Sequence, residues 1–100
     1  MNRTLRYRLH GVTFEWNAAK SASNQLRHGV SFESACEVFF DPFVRLVDVS
    51  GAGEIRDAAI GYAETQSLLV VVHLNRNEKV IRIISARPAT ASERRFYEEL

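Results

Sequence analysis

The chain has 100 residues, of which 46% are hydrophobic and 25% charged, and it contains a single cysteine, Cys36. This length suits one domain, because two separate cores of about 50 residues each would be marginal, and the apolar content excludes intrinsic disorder. The longest apolar run, Leu68–Val72, is far shorter than the ~20 residues of a membrane-spanning helix. One cysteine excludes an internal disulfide and is typical of a reducing compartment.

The charges are spread unevenly along the chain, although the formal net charge is only +1. Residues 1–28 contain five basic residues and one acidic residue, residues 29–78 contain three basic and eight acidic residues, and residues 79–100 contain five basic and three acidic residues. Segments of opposite sign can form opposed faces in a folded protein. We therefore expect a cationic face built from the two ends of the chain and an acidic face built from its middle.

The N-terminal part predicts strands followed by a helix. Leu5, Tyr7 and Leu9 alternate with Arg6 and Arg8, which fits either an edge strand or a basic tail, and Val12–Trp16 alternates again as a strand. Asn17 can cap the helix that follows. Gly29 can end this helix, because glycine readily adopts the left-handed conformation found after a helix C-terminus.

This first helix has two contrasting sides. The side predicted to face the core carries small or apolar residues: Ala19, Ala22 and Leu26. The opposite side, predicted to face solvent, carries three polar side chains spaced by four residues: Lys20, Asn24 and His28. Residues spaced in this way share one face of a helix, so the pattern predicts an outward polar row.

A second helix is predicted to begin after Ser31 and to end before Pro42, which disfavours helical geometry at the residue before it. Its apolar residues recur with the helical period and form a stripe facing the core: Phe32, Ala35, Cys36, Phe39 and Phe40. Because Cys36 lies within this stripe, the pattern predicts a buried thiol and not a nucleophile.

The second half of the chain changes to the period of two that is typical of strands. Four strands are predicted, joined by short loops: Phe43–Val49, Arg56–Tyr62, Leu68–Leu74 and Lys79–Ser85. Thr90–Glu93 forms a capping box that opens a C-terminal helix, of which Phe96, Tyr97 and Leu100 can face the sheet. We therefore expect an α+β fold: an antiparallel sheet with two N-terminal helices and one C-terminal helix packed on it.

The sequence lacks the motifs of several enzyme classes. It has no glycine-rich phosphate loop, no Cys-x-x-Cys, no His-Glu-x-x-His and no Gly-x-Ser-x-Gly. His10, His28 and His73 show no metal-ligand spacing, and His73 lies in an apolar run that predicts a core position. Neither a metal site nor covalent catalysis is predicted.

Several cations are not explained by the pattern of strands and helices. Arg82 interrupts an apolar strand, Arg87 lies where that strand meets the last helix, and Arg56 begins another strand. Each alone is consistent with a surface ion pair. Together with Lys20 they indicate an anion site, because guanidinium and ammonium groups recognise phosphate. Trp16, just before the first helix, could stack a nucleotide base or could pack in the core.

Short motifs follow one another in a set order along most of the chain. They are Phe14–Asn17, Lys20, Asn24, His28–Glu33, Val38–Phe39, Asp41–Pro42, Glu54–Arg56, Ile60–Gly61, Leu69–Val72, Arg82–Ala89, Glu93–Arg94 and Tyr97. In order and spacing this set, which covers residues 14–97, resembles the BrnT toxins, a family of RelE-like toxins from bacterial toxin–antitoxin pairs. Asn17 departs from the usual Asp, and one residue separates Glu54 from Arg56 where the family usually has an adjacent Glu-Arg pair. We expect one toxin domain over residues 1–100, with residues 1–11 as an N-terminal extension.

The resemblance implies a RelE-like fold and a growth-arresting toxin that cleaves RNA in the cytoplasm as a metal-independent endoribonuclease. It implies no cofactor and no membrane partner. The implied partner is a BrnA-like ribbon-helix-helix antitoxin, in a heterotetramer with two chains of each kind, and operator DNA is contacted only through that antitoxin. We expect the acidic segment 29–78 to dock a basic part of the antitoxin, which would make assembly salt-sensitive. The alternative is a catalytically silent member of the fold that binds the antitoxin or RNA.

The resemblance also implies roles for the matched residues. Metal-free RNA cleavage needs a base for the 2′-hydroxyl, positive charge for the scissile phosphate and an acid for the 5′-oxygen. The residues expected to be catalytic are Arg56, Arg87, Lys20 and His28, and those expected to contact substrate are Trp16, Arg82 and Asn24. Arg56 and Arg87 would hold the phosphate, and Lys20 would add a cation or a proton donor.

Two of these residues also have simpler explanations. His28 is the matched side chain that ordinarily titrates near neutral pH, which makes it a candidate base or acid. The pair His28-Gly29 is also how a helix ends, and the alternative is that the imidazole serves only the helix terminus. Asn24 is expected to fix the local geometry and not to react.

Overall fold

The computed structural model describes residues 3–99, which form an α+β fold with six strands in one sheet. The strands are β1 (Thr4–Leu9), β2 (Val12–Asn17), β3 (Arg45–Asp48), β4 (Asp57–Tyr62), β5 (Leu68–Asn77) and β6 (Val80–Pro88). The helices are α1 (Ala18–His28), α2 (Phe32–Glu37), which continues as a 3-10 turn over Val38–Phe40, and α3 (Ala91–Glu98). Leu100, predicted to face the sheet, lies outside the described residues. No helix within residues 3–99 is both long and apolar enough to cross a membrane.

The sheet is mixed, so the prediction of a purely antiparallel sheet is wrong. The strand order is β1-β2-β6-β5-β4-β3. Strands β3 to β6 pair antiparallel, as their short loops predict, but β2 and β6 pair in parallel, with Phe14 opposite Ile81. The physical reason is distance along the chain. Between β2 and β6 the chain forms two helices and three strands, so no local loop indicates this pairing.

The first strand, Thr4–Leu9, confirms one of the two alternatives for this segment, an edge strand, while Met1 and Asn2 lie outside the described residues. β1 pairs antiparallel with β2 along its whole length. His10 and Gly11 connect the two strands, with φ angles of 49° and 81°. Two-residue hairpin turns of this kind require positive φ at both positions, which glycine adopts readily. β1 is thus an integral part of the sheet.

The two faces of the sheet are covered unequally. α2 packs on one face, which we call the core face, over a cluster that includes Phe14, Val71 and Ile83. On the opposite face, α3 packs near β4. The other end of this opposite face, at β1, β2, β6 and the end of β5, is accessible to solvent. The side chains of Arg6 on β1 and Arg76 on β5 are more than half exposed there. We call this second side of the sheet the open face.

The last helix is held against the sheet by the half-buried hydroxyl of Tyr97. Tyr97 donates to Asp41 Oδ2 at 2.6 Å, and the backbone N–H of Tyr62 donates to the same oxygen at 2.8 Å. Burial and the nearby Asp41 carboxylate together raise the pKa of Tyr97 to about 12. The predicted capping box of Thr90 and Glu93 is present at the start of α3.

The first helix is rotated relative to the prediction from its helical wheel. Leu26, predicted to face the core, is 90% exposed, and Asn24, predicted to face solvent, is 8% exposed. The Asn24 amide donates to Ala86 O at 2.8 Å and accepts from Ala86 N at 3.1 Å. It also donates to Val30 O at 3.1 Å. The pairing of β2 with β6 ends at Arg82, so the backbone groups of Ala86 need another partner, and this requirement outweighs the weak apolar pattern of two alanines and one leucine.

The second helix presents the predicted stripe only in its first part. Phe32, Ala35 and Cys36 are fully buried, and burial raises the pKa of the Cys36 thiol. Phe40 is instead 37% exposed, while Val38 is fully buried. The reason is that the helix tightens into a 3-10 turn, whose three residues per turn shift the stripe around the axis.

Candidate functional site on the open face

A row of charged side chains crosses the open face over three neighbouring strands. The register places Arg6 of β1 opposite Glu15 of β2, and Glu15 opposite Arg82 of β6. Side chains alternate between the faces of a strand, and the neighbours Phe14 and Trp16 belong to the core-face cluster. Glu15 therefore points to the open face. The row follows from the strand register together with the alternation in β2.

Arg76, near the end of β5, joins this row through Glu15. Arg76 Nη1 donates to both carboxylate oxygens of Glu15, at 2.9 Å to Oε1 and 2.8 Å to Oε2. Arg82 Nη1 donates to Oε2 at 2.8 Å, and Arg6 Nη2 lies 3.8 Å from Oε1. One carboxylate is thus surrounded by three guanidinium groups. We call Arg6, Glu15, Arg76 and Arg82 the arginine cluster.

The arginine cluster presents positive charge to solvent. The Glu15 side chain is 0% exposed, whereas those of Arg6 and Arg76 are 66% and 56% exposed. Burial alone would raise the pKa of Glu15, but hydrogen bonds and charge from Arg82 and Arg76 outweigh it and lower that pKa. The carboxylate therefore stays ionised beneath the guanidinium groups. The excess of positive charge above it suits a phosphate.

Arg87 lies further along β6 and is held by a single carboxylate. Its Nη1 and Nη2 donate to Oε1 and Oε2 of Glu93 at 2.7 Å each. The Arg87 guanidinium lowers the pKa of Glu93 to about 2, and the same pairing raises the pKa of Arg87. Val70, opposite Arg87 in the register, belongs to the smaller cluster under α3. Arg87 therefore shares the open face with the arginine cluster, but a carboxylate already occupies both of its terminal nitrogens.

Arg56, just before β4, lies next to the arginine cluster. It lines a cavity of about 550 Å³ together with Leu74 and Arg76. Its guanidinium donates to Ile55 O at 2.9 Å and lies 3.5 Å from Glu54 Oε2. Glu54 and Arg56 thus pair even though one residue separates them. The shared cavity connects Arg56 to Arg76.

The predicted residues of α1 line a different cavity. Lys20, Asn24 and His28 surround a space of about 170 Å³ between α1 and β6, together with Ser85. The Asn24 amide is occupied by backbone groups, as described above, so it positions α1 and does not present itself to a substrate. The structure therefore places Lys20 and His28 in one cavity, Arg82 and Arg56 in or beside the arginine cluster, and Arg87 further along β6 at its pair with Glu93.

Trp16 does not fit the predicted role in base stacking. Its ring is 2% exposed and contacts Phe32 edge-on and Tyr7 at a tilt, with 5.8 Å between ring centroids in each pair. A stacked base needs an exposed ring face. Trp16 therefore packs in the core, which is the other alternative that its position allowed.

His73 is buried, as its apolar surroundings predict. It is 3% exposed, packs edge-on against Phe39 at 4.7 Å, and its pKa is lowered by burial. Among residues 3–99, no three His, Cys, Asp or Glu side chains are grouped as metal ligands.

Sequence reasoning missed three members of the arginine cluster: Glu15, Arg76 and Arg6. A signal for Glu15 was available, because a charged residue between two large apolar residues of a strand must point away from the core that they form. Arg76 carries no such signal, since the strand was predicted to end at Leu74 but continues to Asn77. Arg6 could be placed only once β1 was known to be a strand.

The fold and the open face define a class: a small α+β protein with a cationic surface that suits a polyanion such as a nucleic acid. Within this class, a family model narrows the assignment. The model of the ribonuclease toxin BrnT, of type II toxin–antitoxin systems, matches residues 16–93. The chain belongs to the BrnT family, as its motifs predict, and a toxin of this type has an antitoxin partner. A search of the curated proteins found no match.

Proposed function

We propose that this protein arrests growth by cleaving RNA, with the scissile phosphate bound at the arginine cluster. The observation that carries the proposal is the row of guanidinium groups around the Glu15 carboxylate on the open face. Membership of a ribonuclease toxin family supports the reaction. The phosphate gains negative charge in the transition state, and preorganised cations stabilise that charge.

The arginines have distinct proposed roles. Arg82 and Arg76 bind the scissile phosphate, because both converge on one carboxylate oxygen. Arg6 lies at the rim of this site. Arg56 and Arg87 extend the cationic surface on the same side of the sheet and bind flanking phosphates of the RNA chain.

Proton transfer is assigned to α1. Lys20 and His28 are the proposed acid and base. Their cavity includes Ser85, which precedes Arg87 by two residues on β6. Ser85 also follows Arg82 by three residues, so the proposal requires the RNA to lie along β6 with its scissile phosphate within hydrogen-bond reach of both Arg82 and this cavity.

The proposed reaction needs no metal ion. When the 2′-hydroxyl of the substrate attacks its own phosphate, no metal-bound hydroxide is required, and guanidinium groups can supply the charge stabilisation. Cleavage that persists in EDTA supports this proposal. Cleavage that stops in EDTA and returns with an added divalent cation contradicts it.

Expression of the chain without its antitoxin tests the function. The wild type should stop growth, and the purified protein should cleave a single-stranded RNA oligonucleotide. Arg82→Ala and Arg76→Ala should each relieve toxicity and lower cleavage by at least about tenfold, since each removes a phosphate contact. Arg95→Ala, which removes the same charge from an exposed position on α3, should do neither.

Two outcomes contradict the proposal in different ways. If the wild type leaves RNA intact, with and without ribosomes, the enzymatic function is wrong. If cleavage occurs but the Arg82 and Arg76 variants match the wild type, the site is wrong. In that case Arg56→Ala and Arg87→Ala become the informative variants.

We also propose a ribbon-helix-helix antitoxin, in a complex with two chains of each kind. Glu33 and Glu37 lie on α2, on the other side of the sheet from the arginine cluster, and provide acidic groups for a basic segment of such a partner. Native mass spectrometry of the co-purified complex measures the stoichiometry. A complex with one chain of each kind would contradict it.

A catalytically silent RNA-binding protein is the second candidate. The observation in its favour is that Arg82, Arg87 and Arg56 are each paired with a carboxylate. Such pairs can hold cations for binding alone. Tight binding of RNA by the wild type, without cleavage or toxicity, would favour this candidate.

A further inference from the structure

We infer that Glu15 is a positioning residue, which holds Arg76 and Arg82 so that both can bind one phosphate. This inference rests on the proposed function and concerns the same site. Its basis is that the 0% exposed Glu15 side chain accepts hydrogen bonds from both arginines, which come from different strands. Because the Glu15 carboxylate is buried beneath the two guanidinium groups, it can affect a bound ligand only through Arg76 and Arg82.

The two arginines converge more closely than like charges would do alone. Arg76 Nη1 and Arg82 Nη1 both donate to the same oxygen, Glu15 Oε2, at 2.8 Å. Two positive charges so close together repel each other, and the long side chain of Arg76 has many alternative rotamers near the exposed end of β5. The shared carboxylate opposes both effects. It therefore brings two donors to the spacing that one phosphate can accept.

Glu15 is poorly placed to act as the general base itself. A base must come within about 3 Å of the proton that it removes. Both oxygens of Glu15 already accept hydrogen bonds from guanidinium groups, and the side chain offers no exposed surface to a 2′-hydroxyl. Its effect on the reaction therefore passes through Arg76 and Arg82.

The test is Glu15→Gln, which keeps the size of the side chain and removes its charge. Cleavage of an RNA oligonucleotide should fall at least about tenfold in kcat/KM, at a temperature where circular dichroism shows both proteins folded. The acidic limb of the pH–rate profile should keep its position. Glu64→Gln, which removes an exposed acidic charge elsewhere, should match the wild type.

A double-mutant cycle distinguishes positioning from a merely structural role. If Glu15 acts through the two arginines, then Glu15→Gln should cost little further activity in a protein that already carries Arg76→Ala and Arg82→Ala. Additive losses would overturn the inference. Loss of the acidic limb in Glu15→Gln would also overturn it, since that limb would then belong to Glu15 as the base.

A measurement on the wild type covers the case in which Glu15→Gln does not fold. Guanidinium groups held by a carboxylate rotate slowly, so Arg76 and Arg82 should give separate Nη–H signals in nitrogen-proton NMR spectra. Averaged signals for both side chains would overturn the inference without any variant.

A measurement of RNA binding distinguishes a failure of this inference from a failure of the proposed function. A 2′-O-methyl RNA oligonucleotide cannot be cleaved, and its affinity should fall at least about tenfold in Glu15→Gln. If the wild type cleaves no RNA but this loss of affinity is observed, the function is wrong and the positioning role stands. If the wild type cleaves RNA and Glu15→Gln matches it in cleavage and binding, the positioning role is wrong and the function stands.

Discussion

At the scale of single residues, the arginines of the open face share a common arrangement. Each of three is paired with a carboxylate: Arg82 with Glu15, Arg87 with Glu93 and Arg56 with Glu54. The sequence predicted these three arginines, because each interrupts or borders an apolar strand. It did not predict the role of Glu15, whose partner Arg82 lies far away in the chain. Pairs of residues that are near each other in the chain can be recognised from the sequence, whereas a pair between strands that are far apart in the chain depends on the strand register.

Replacing Glu93 with Gln should destabilise the protein at neutral pH and make its stability less sensitive to acid. Arg87 lowers the pKa of Glu93 from 4.5 to about 2. A carboxyl whose pKa is lowered by folding stabilises the folded state above its unfolded-state pKa, and this is lost as pH falls through the folded-state value. We expect a loss of roughly 1–2 kcal/mol at neutral pH, because a hydrogen-bonded ion pair and a helix cap are weakened together.

Thermal unfolding followed by circular dichroism measures this effect. The difference between Glu93→Gln and the wild type should shrink as the pH falls from 4.5 to about 2. Glu98→Gln, at the exposed end of α3, is the matched control and should differ little from the wild type throughout. A loss that stays constant down to the lowest pH would contradict the assignment to the Arg87 pair.

At the scale of helices and strands, the ends of the helices were predictable and one packing face was not. Asn17 and Ser31 accept the N-terminal hydrogen bonds of α1 and α2, and Gly29 ends α1 with a φ of 69°. These features depend on a few neighbouring residues. The face of α1 depends instead on Asn24 bonding to Ala86, which is 62 residues away. In a helix with few apolar residues, such a hydrogen bond determines which face is buried, and the apolar periodicity does not.

Replacing Asn24 with Ala should destabilise the protein by about 2–4 kcal/mol. The substitution leaves backbone groups of Ala86 and Val30 without partners, and each buried unsatisfied group costs roughly 1–3 kcal/mol. Leu26→Ala should stay within about 0.5 kcal/mol of the wild type, because Leu26 is 90% exposed. Urea unfolding measures both variants, with Gln25→Ala as an exposed control on the same helix. The helical wheel alone predicts that Leu26→Ala is the more destabilising variant. The measured order of the two variants therefore decides between the helical wheel and the contacts of Asn24.

At the scale of the whole molecule, the parallel pairing of β2 with β6 creates the arginine cluster. It brings Glu15 from the basic N-terminal segment beside Arg82 from the basic C-terminal segment. The uneven charge distribution predicted a cationic face built from the two ends of the chain, which holds for Arg6 and Arg82, whereas Arg76 comes from the acidic middle segment. The order of strands was not predictable, because it joins segments that are distant in the chain. Local sequence patterns therefore indicated some of the residues of the cationic face, but not which strands lie side by side.

The cationic face should make RNA binding depend strongly on salt, despite a net charge of only +1. Each phosphate contact to a single strand releases bound counterions and adds about 0.7 to the slope of log affinity against log salt. Arg82→Ala should therefore reduce the slope for a 2′-O-methyl RNA oligonucleotide by about 0.7. Arg95→Ala lowers the net charge equally, but it removes an exposed side chain of α3 that lies outside the arginine cluster, so it should leave the slope unchanged. Equal changes of the slope in the two variants would mean that RNA affinity depends only on the net charge. The open face would then have no special role in binding.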